Sequence, residues 1–205
     1  ERERPDMPIP IEETAGETFI MSSRDLSMIA HVPELIDAGI ASFKIEGRMK
    51  SAYYTAVVTN AYRMAIDAAL RGETQPDPLW LRELESVSHR EYDTGYFFAD
   101  SRKEALTCRE SGYIREKAYL ATVLSYDPAT GEAKWVQRNK VSVGDPMELL
   151  TPGKGGQPLF CTALFDEEHQ PIPSTPHPAM IFYLPVPFPV QPGDILRGGE
   201  VLPKS

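Results

Sequence analysis

Ala41-Ser-Phe-Lys-Ile-Glu-Gly-Arg-Met-Lys-Ser51 is the stretch whose reading decides the fold. Phe43 and Ile45 alternate with Lys44 and Glu46, the period-two pattern of a strand with one apolar and one charged face. Such a strand suits an open surface sheet. It also suits an α/β barrel, whose outward residues pack on helices while inward ones reach the mouth of the active site. Gly47, Arg48 and Lys50 at its C-terminal end favour the barrel, because α/β folds keep their chemistry at that end. Ser51 then caps a helix predicted over Ala52 to Arg71 and stopped by Gly72. Tyr54, Val57, Val58, Ala61, Tyr62, Ala65, Ile66 and Ala69 recur at three- and four-residue spacing and predict its buried stripe.

Working upstream, Thr18 to Met21 reads as a short apolar strand, and Ser22, Ser23 and Asp25 offer caps for a helix beginning with Leu26, Met28 and Ile29. Pro33 opens a second helical segment and Gly39 closes it. Strand–helix–strand–helix order implies parallel strands. Two parallel strands cannot cover both their faces, so the unit calls for more sheet than this chain supplies. The chain also starts at Glu1 rather than Met, in a charged, proline-containing stretch, and is expected to be a piece of a longer protein.

Downstream, Gln75-Pro-Asp-Pro78 reads as a linker, and Leu79 to Val87 as a helix with Trp80, Leu81 and Leu84 on one side. His89 to Phe98 is an irregular aromatic segment and residues 99–112 a polar loop. From Tyr113 the texture changes to short strands: Tyr119–Tyr126, Ala133–Gln137, Met147–Leu150, Leu159–Phe165 and Met180–Leu184. Asp127-Pro-Ala-Thr-Gly131 is a hairpin turn, and Val143-Gly-Asp145 and Gln191-Pro-Gly-Asp194 are turns that each lead into an apolar strand. Strands at this spacing predict a small closed barrel, which removes exposed edges. The expected fold class is therefore α/β plus all-β: the tail of a (β/α) TIM-like barrel over residues 1–75, a connecting helix and aromatic segment over 76–112, and an antiparallel β-barrel domain over 113–205.

Composition narrows the function classes. The chain has 205 residues, 41% hydrophobic and 25% charged, with a net charge of -9. An acidic chain is a poor non-specific binder of nucleic acid, since phosphate contacts need Lys and Arg. Between Ser42 and Arg63, however, Lys44, Arg48, Lys50 and Arg63 face Glu46 alone. No apolar run reaches transmembrane length, so no membrane partner is expected. Two cysteines, Cys108 and Cys161, stand far apart in no metal-ligand spacing, which reads as a reduced, cytoplasmic protein. Four scattered histidines and no His-Glu-x-x-His argue against a zinc hydrolase. No Gly-x-Ser-x-Gly elbow occurs. Thr151-Pro-Gly-Lys-Gly-Gly156 lacks Walker spacing and reads as a hairpin loop.

The candidate site lies at the predicted strand ends. Lys44 and Glu46 share one strand face, either as a structural ion pair or as a pair that binds an anion and tunes proton affinity. Arg48 brings a planar fork suited to a carboxylate or phosphate, or alternatively caps a neighbouring carbonyl. Lys50 and the helix N-terminus after Ser51 add positive potential at the same spot. Ser22, Ser23, Arg24 and Asp25 occupy the matching position after the preceding strand, as a converging tip or, for the serines and Asp25, only as helix caps. Lys44, Glu46, Arg48, Lys50, Ser22, Ser23 and Arg24 are the expected substrate-binding set; no catalytic residue and no metal ligand is assigned.

Several separated motifs carry a resemblance: Phe19-Ile-Met-Ser-Ser-Arg-Asp-Leu26, His31-Val-Pro-Glu-Leu-Ile-Asp-Ala-Gly39, Ser42-Phe-Lys-Ile-Glu-Gly-Arg-Met-Lys-Ser51, Val87-Ser-His-Arg90, Thr94-Gly-Tyr96, Glu110-Ser-Gly-Tyr113, Asn139-Lys-Val-Ser-Val-Gly-Asp145 and Glu148-Leu-Leu-Thr-Pro152. Together they resemble the collagenase-like peptidase family U32, and most of all its branch acting in prephenate-dependent 5-hydroxylation of a tRNA uridine. The resemblance implies a longer parent with an N-terminal α/β barrel half and a cysteine cluster holding an iron–sulfur centre, with tRNA and prephenate as partners. That parent would be an enzyme. This chain, without the cluster cysteines, would hold no cofactor and be inactive alone. The family's older name implies a peptidase instead, and a non-catalytic RNA- or protein-interaction module is a third reading.

Overall fold

The computed structural model describes residues 23–98 and 117–199, and the backbone of 11–14 and 17–20. Ile11–Thr14 (β1) and Glu17–Ile20 (β2) form an antiparallel hairpin. The strand expected near Thr18–Met21 is therefore present, but it pairs with its own upstream neighbour and not in parallel with a downstream strand. Asp25–Leu26 (β3) is a short strand, not the helix start expected there. A 3₁₀ turn over Ile29–His31 leads into Val32–Asp37 (α1), with Pro33 in its first turn. Gly39 follows at φ 84°, the left-handed backbone that lets the helix stop.

Residues 41–46 are the main departure. They keep the alternation, Phe43 and Ile45 half-buried and Lys44 and Glu46 exposed, yet they join no ladder among the described residues. Alternation makes a segment competent to be a strand; a neighbour must still satisfy its N–H and C=O groups. The parallel pair that does form is β3 with Tyr92–Asp93 (β4), Asp25 opposite Tyr92 and Leu26 opposite Asp93.

Ser51 caps Ala52–Leu70 (α2), its side chain accepting from the Tyr54 N–H at 3.1 Å. The buried stripe is Tyr53, Val57, Val58, Ala61, Ala65 and Ala68, rotated slightly from expectation, with Tyr54, Tyr62, Ile66 and Ala69 only partly covered. Asp77 caps Pro78–Glu85 (α3). Trp80, Glu83 and Leu84 are its buried residues; Leu81, expected inside, is exposed because the 80/83/84 spacing sets the covered face.

The C-terminal part is a six-stranded antiparallel sheet built from Tyr119–Asp127 (β5), Glu132–Gln137 (β6), Pro146–Leu150 (β7), Gln157–Phe160 (β8), Ile181–Pro185 (β9) and Ile195–Gly198 (β10). Its order is β8-β7-β10-β5-β6-β9. Among the described residues the expected closed barrel is not formed: β8 and β9 end the strand order of a curled sheet, and the strand expected over Leu159–Phe165 ends at Phe160. Phe165 crosses to the far edge as an isolated bridge to Tyr183. Pro158 fits β8, since an edge strand tolerates a missing N–H. Gly131 at φ 73° completes the β5–β6 turn, its N–H donating to the Asp127 carbonyl at 2.9 Å.

Trp135, Phe182, Leu149, Leu184 and Leu196 lie at the heart of the sheet's core. A second core gathers Ile29, Val32, Trp80, Leu84 and the α2 stripe, and takes Leu150, Tyr119 and Ile195 from the sheet. Along β10 the side chains alternate: Leu196 enters the sheet core, while Ile195 and Arg197 face the helices. Helices and sheet are thus joined by shared apolar packing. Among the described residues no helix is long and apolar enough to cross a membrane.

Candidate functional site

The segment after α1, the first turns of α2 and the β3/β4 pair enclose a cavity of about 700 Å³. Lys44, Glu46, Arg48 and Lys50 all line it, together with Asp25, Arg90, Phe43, Tyr54, Tyr62 and Phe97. Four basic side chains stand there against two acidic ones. Apolar and aromatic walls strengthen the interaction of these charges with a ligand by excluding water.

The residues differ in how they are held. Lys44 and Glu46 sit at the mouth, 4.0 Å apart with side chains 88% and 66% exposed. A pair so open is worth little to stability and leaves both groups able to reorient. Among the described residues no further strand covers them. Glu46 also accepts from the Arg48 backbone N–H at 2.9 Å, which fixes the turn around Gly47. The Arg48 side chain is exposed at the rim.

Lys50 lies deeper. Its Nζ donates to the Ser88 carbonyl at 2.9 Å and stands 5.1 Å from the centroid of the Tyr54 ring. Burial lowers its pKa from the ordinary lysine value, against the opposing pull of Asp25. Asp25 is gripped by Arg90: the backbone N–H donates to Oδ2 at 3.0 Å, and Nε and Nη2 donate to Oδ1 at 2.9 and 2.7 Å. Burial pushes the Asp25 carboxyl up, but the Arg90 hydrogen bonds and charge outweigh it, and the pKa lies below the ordinary aspartate value. Asp25 therefore caps no helix; it anchors the wall of the cavity.

Of the second expected group, Ser22 lies outside the described residues. Ser23 is exposed and Arg24 turns away from the cavity, its Nη1 donating to Asp93 Oδ2 at 2.7 Å and its Nε 3.3 Å from Glu91 Oε2. Neither lines the cavity. Sequence reasoning missed Arg90 as a cavity residue; of the two roles it offered Asp25, the structure places the residue at the cavity and not at a helix cap. The two are 65 positions apart, and no spacing rule links them.

These residues do not fit an iron–sulfur centre. Among the described residues no group of three or more His, Cys, Asp or Glu converges as a metal site. Cys161 is buried, with desolvation pushing its thiol up to about 11, which disfavours the thiolate. Cys108 lies outside the described residues.

Comparison with known proteins adds the following. The family described as Peptidase family U32 matches residues 2–107, and Peptidase family U32 C-terminal domain matches residues 115–197. The tRNA hydroxylation protein P1 of Bacillus subtilis is 30% identical over 187 residues, covering 89% of this chain and 44% of that protein. The tRNA hydroxylation protein P of Escherichia coli is 32% identical over 187 residues, covering 91% of this chain and 41% of that protein. A collagenase of Porphyromonas gingivalis is 29% identical over 140 residues, covering 67% of this chain and 39% of that protein. The chain thus spans less than half the length of these relatives. A crystal structure of the C-terminal domain of a Geobacillus thermoleovorans U32 peptidase matches 39% of this chain and 98% of its own, at 30% identity and a TM-score of 0.38.

Proposed function

The chain belongs to peptidase family U32, and on that footing we propose that it is the C-terminal portion of a protein that takes part in tRNA hydroxylation. The observation that carries this reading is the match, over nine-tenths of the chain, to tRNA hydroxylation proteins of two bacteria. The cavity supports it chemically. Arg48 at the rim and Lys50 inside suit a small molecule with two carboxylates, such as prephenate, and Tyr54, Phe43 and Phe97 suit its ring. In this reading Arg48 supplies a bidentate contact, Lys44 adds a flexible second cation, and the Asp25–Arg90 pair holds the wall. An α/β barrel half in the longer protein covers the exposed side of residues 41–46, and the iron–sulfur centre belongs to that half. tRNA meets the assembled protein, in the cytoplasm, and not this chain alone.

A peptidase is the second reading, favoured by the collagenase relative. It finds less support in the side chains: Cys161 is buried, and burial disfavours its thiolate.

The test uses the longer protein with Arg48→Ala or Lys44→Ala. Loss of tRNA hydroxylation with an intact fold is expected. Normal hydroxylation in both variants would remove the site assignment, and peptide-bond cleavage by the purified protein would favour the second reading.

A further inference from the structure

Arg197 on β10 is 1% exposed, and every nitrogen of its guanidinium is used. Nη1 donates to Glu83 Oε2 at 2.7 Å and to Ser86 Oγ at 3.0 Å, Nη2 to Glu83 Oε1 at 2.8 Å, and Nε to Glu148 Oε2 at 2.9 Å. Glu148 is its direct cross-strand neighbour on β7, and Lys117 Nζ closes on Glu148 Oε1 at 2.5 Å. Two bases thus balance two acids. Glu83 and Ser86 come from α3 and its C-terminal cap, so the fork ties the sheet to the helices. Burial alone would lower the Arg197 pKa and raise that of Glu148; their partners reverse both effects and keep the groups charged.

The glycine-rich loop over residues 151–156 roofs this network. A Cβ on Gly156 would collide with Glu148 Oε2 and stand 2.5 Å from Arg197 Nη2; one on Gly155 would stand 2.6 Å from Leu79 Cδ1. Asn60 of α2 brackets the same loop, accepting from Gly153 N–H at 2.6 Å and donating to the Lys154 carbonyl at 2.9 Å. A buried ion network adds little net stability compared with apolar packing, but a fork with two acids admits few geometries.

The short segment over residues 83–93 runs from this network to the cavity. At one end Glu83 and Ser86 are held by Arg197. At the other, the Ser88 carbonyl holds Lys50, Arg90 holds Asp25, and the Glu91 and Asp93 carbonyls accept from Asp25 N–H and Ser27 N–H, each at 2.9 Å. We propose that Arg197 is a positioning residue for the cavity: the C-terminal sheet, gripping Glu83 and Ser86, sets where Ser88 and Arg90 stand and through them where Lys50 and Asp25 stand. Its functional meaning rests on the cavity being the ligand site; the coupling itself does not.

The test measures amide hydrogen exchange at Asp25, Ser27 and Arg90, and the Arg90 Nε–H resonance, in the full chain carrying Arg197→Met, Glu83→Gln or Arg197→Lys. Leu184→Ala, in the sheet core away from the network, is the control for general destabilisation. Arg197→Met and Glu83→Gln are expected to speed exchange at the three amides about tenfold or more over the control at matched global stability, and to shift the Arg90 resonance. Arg197→Lys, keeping charge without the fork, restores part of the effect. Exchange equal to that of Leu184→Ala would overturn the proposal. Should Arg197→Met fail to fold, Glu83→Gln removes the charge and one acceptor of the same contact from the helix side and decides the question by the same comparison. Prephenate titrated into the unsubstituted longer protein separates the two ideas: no binding beside altered exchange removes the ligand reading alone, and binding beside unaltered exchange removes the coupling alone.

Discussion

Asp25→Asn isolates the charge that anchors the cavity wall, because asparagine keeps the shape and an acceptor oxygen. Three N–H donors of Arg90 converge on the Asp25 carboxylate. Breaking a fully buried pair from one side costs ~3–5 kcal/mol. These side chains retain 18% and 27% exposure, so solvent takes up part of the loss. Hydrogen bonds to charged groups give the better scale, about 1.5–3 kcal/mol at pH 7. For a chain of this size that is a Tm lower by roughly 3–12 °C. The pH dependence sharpens the test. The folded pKa of Asp25 lies below its unfolded value, so the pair's contribution is complete above about pH 4 and disappears as pH falls through the folded pKa. The gap between native protein and Asp25→Asn should be widest at neutral pH and narrow in acid. Thermal unfolding followed by the fluorescence of Trp80, in the helical core, reads it in a Trp135→Phe background. A penalty of the same size at pH 3 and pH 7 would show that the charge is not what matters, and no penalty at pH 7 would refute the anchoring role.

Gly156→Ala should destabilise by about 1–3 kcal/mol in urea unfolding, since the added methyl displaces Glu148 and Arg197; an unchanged midpoint would mean the loop yields freely. In a Cys108→Ser background Cys161 should resist thiol reagents in the folded chain at pH 8 and react at an ordinary thiol rate only in denaturant, a contrast that rapid native labelling would contradict. Lys50 should titrate below an ordinary exposed lysine when its Cε resonance is followed by NMR, and Asp25→Asn should lower it further by removing a favourable charge.

Local order was legible where one element carries its own instructions. Ser51 with Gly72 marked α2, Asp127 to Gly131 marked a hairpin, and Met147 to Leu150 marked a strand by spacing alone. Pairing was less legible. Residues 41–46 and 18–21 have strand patterns, but a pattern does not name its partner, and in the structure the first joins no ladder among the described residues and the second joins a hairpin. Among the described residues the curled sheet stays open for a similar reason: Phe165 makes one bridge to Tyr183 where closure needs a ladder. Within the site, Lys44, Glu46, Arg48 and Lys50 were legible because they sit within seven residues. Asp25 with Arg90, and Arg197 with Glu83, are separated by 65 and 114 positions, and tertiary folding alone brings them together.

Calorimetric titration of prephenate into the longer protein, native and Arg48→Ala, bears most directly on the claim that the cations around this cavity hold an anionic small molecule. Affinity should fall about tenfold or more, ~1.4 kcal/mol, on losing the bidentate contact, with the folded spectrum unchanged. Equal affinity in the two proteins would contradict it.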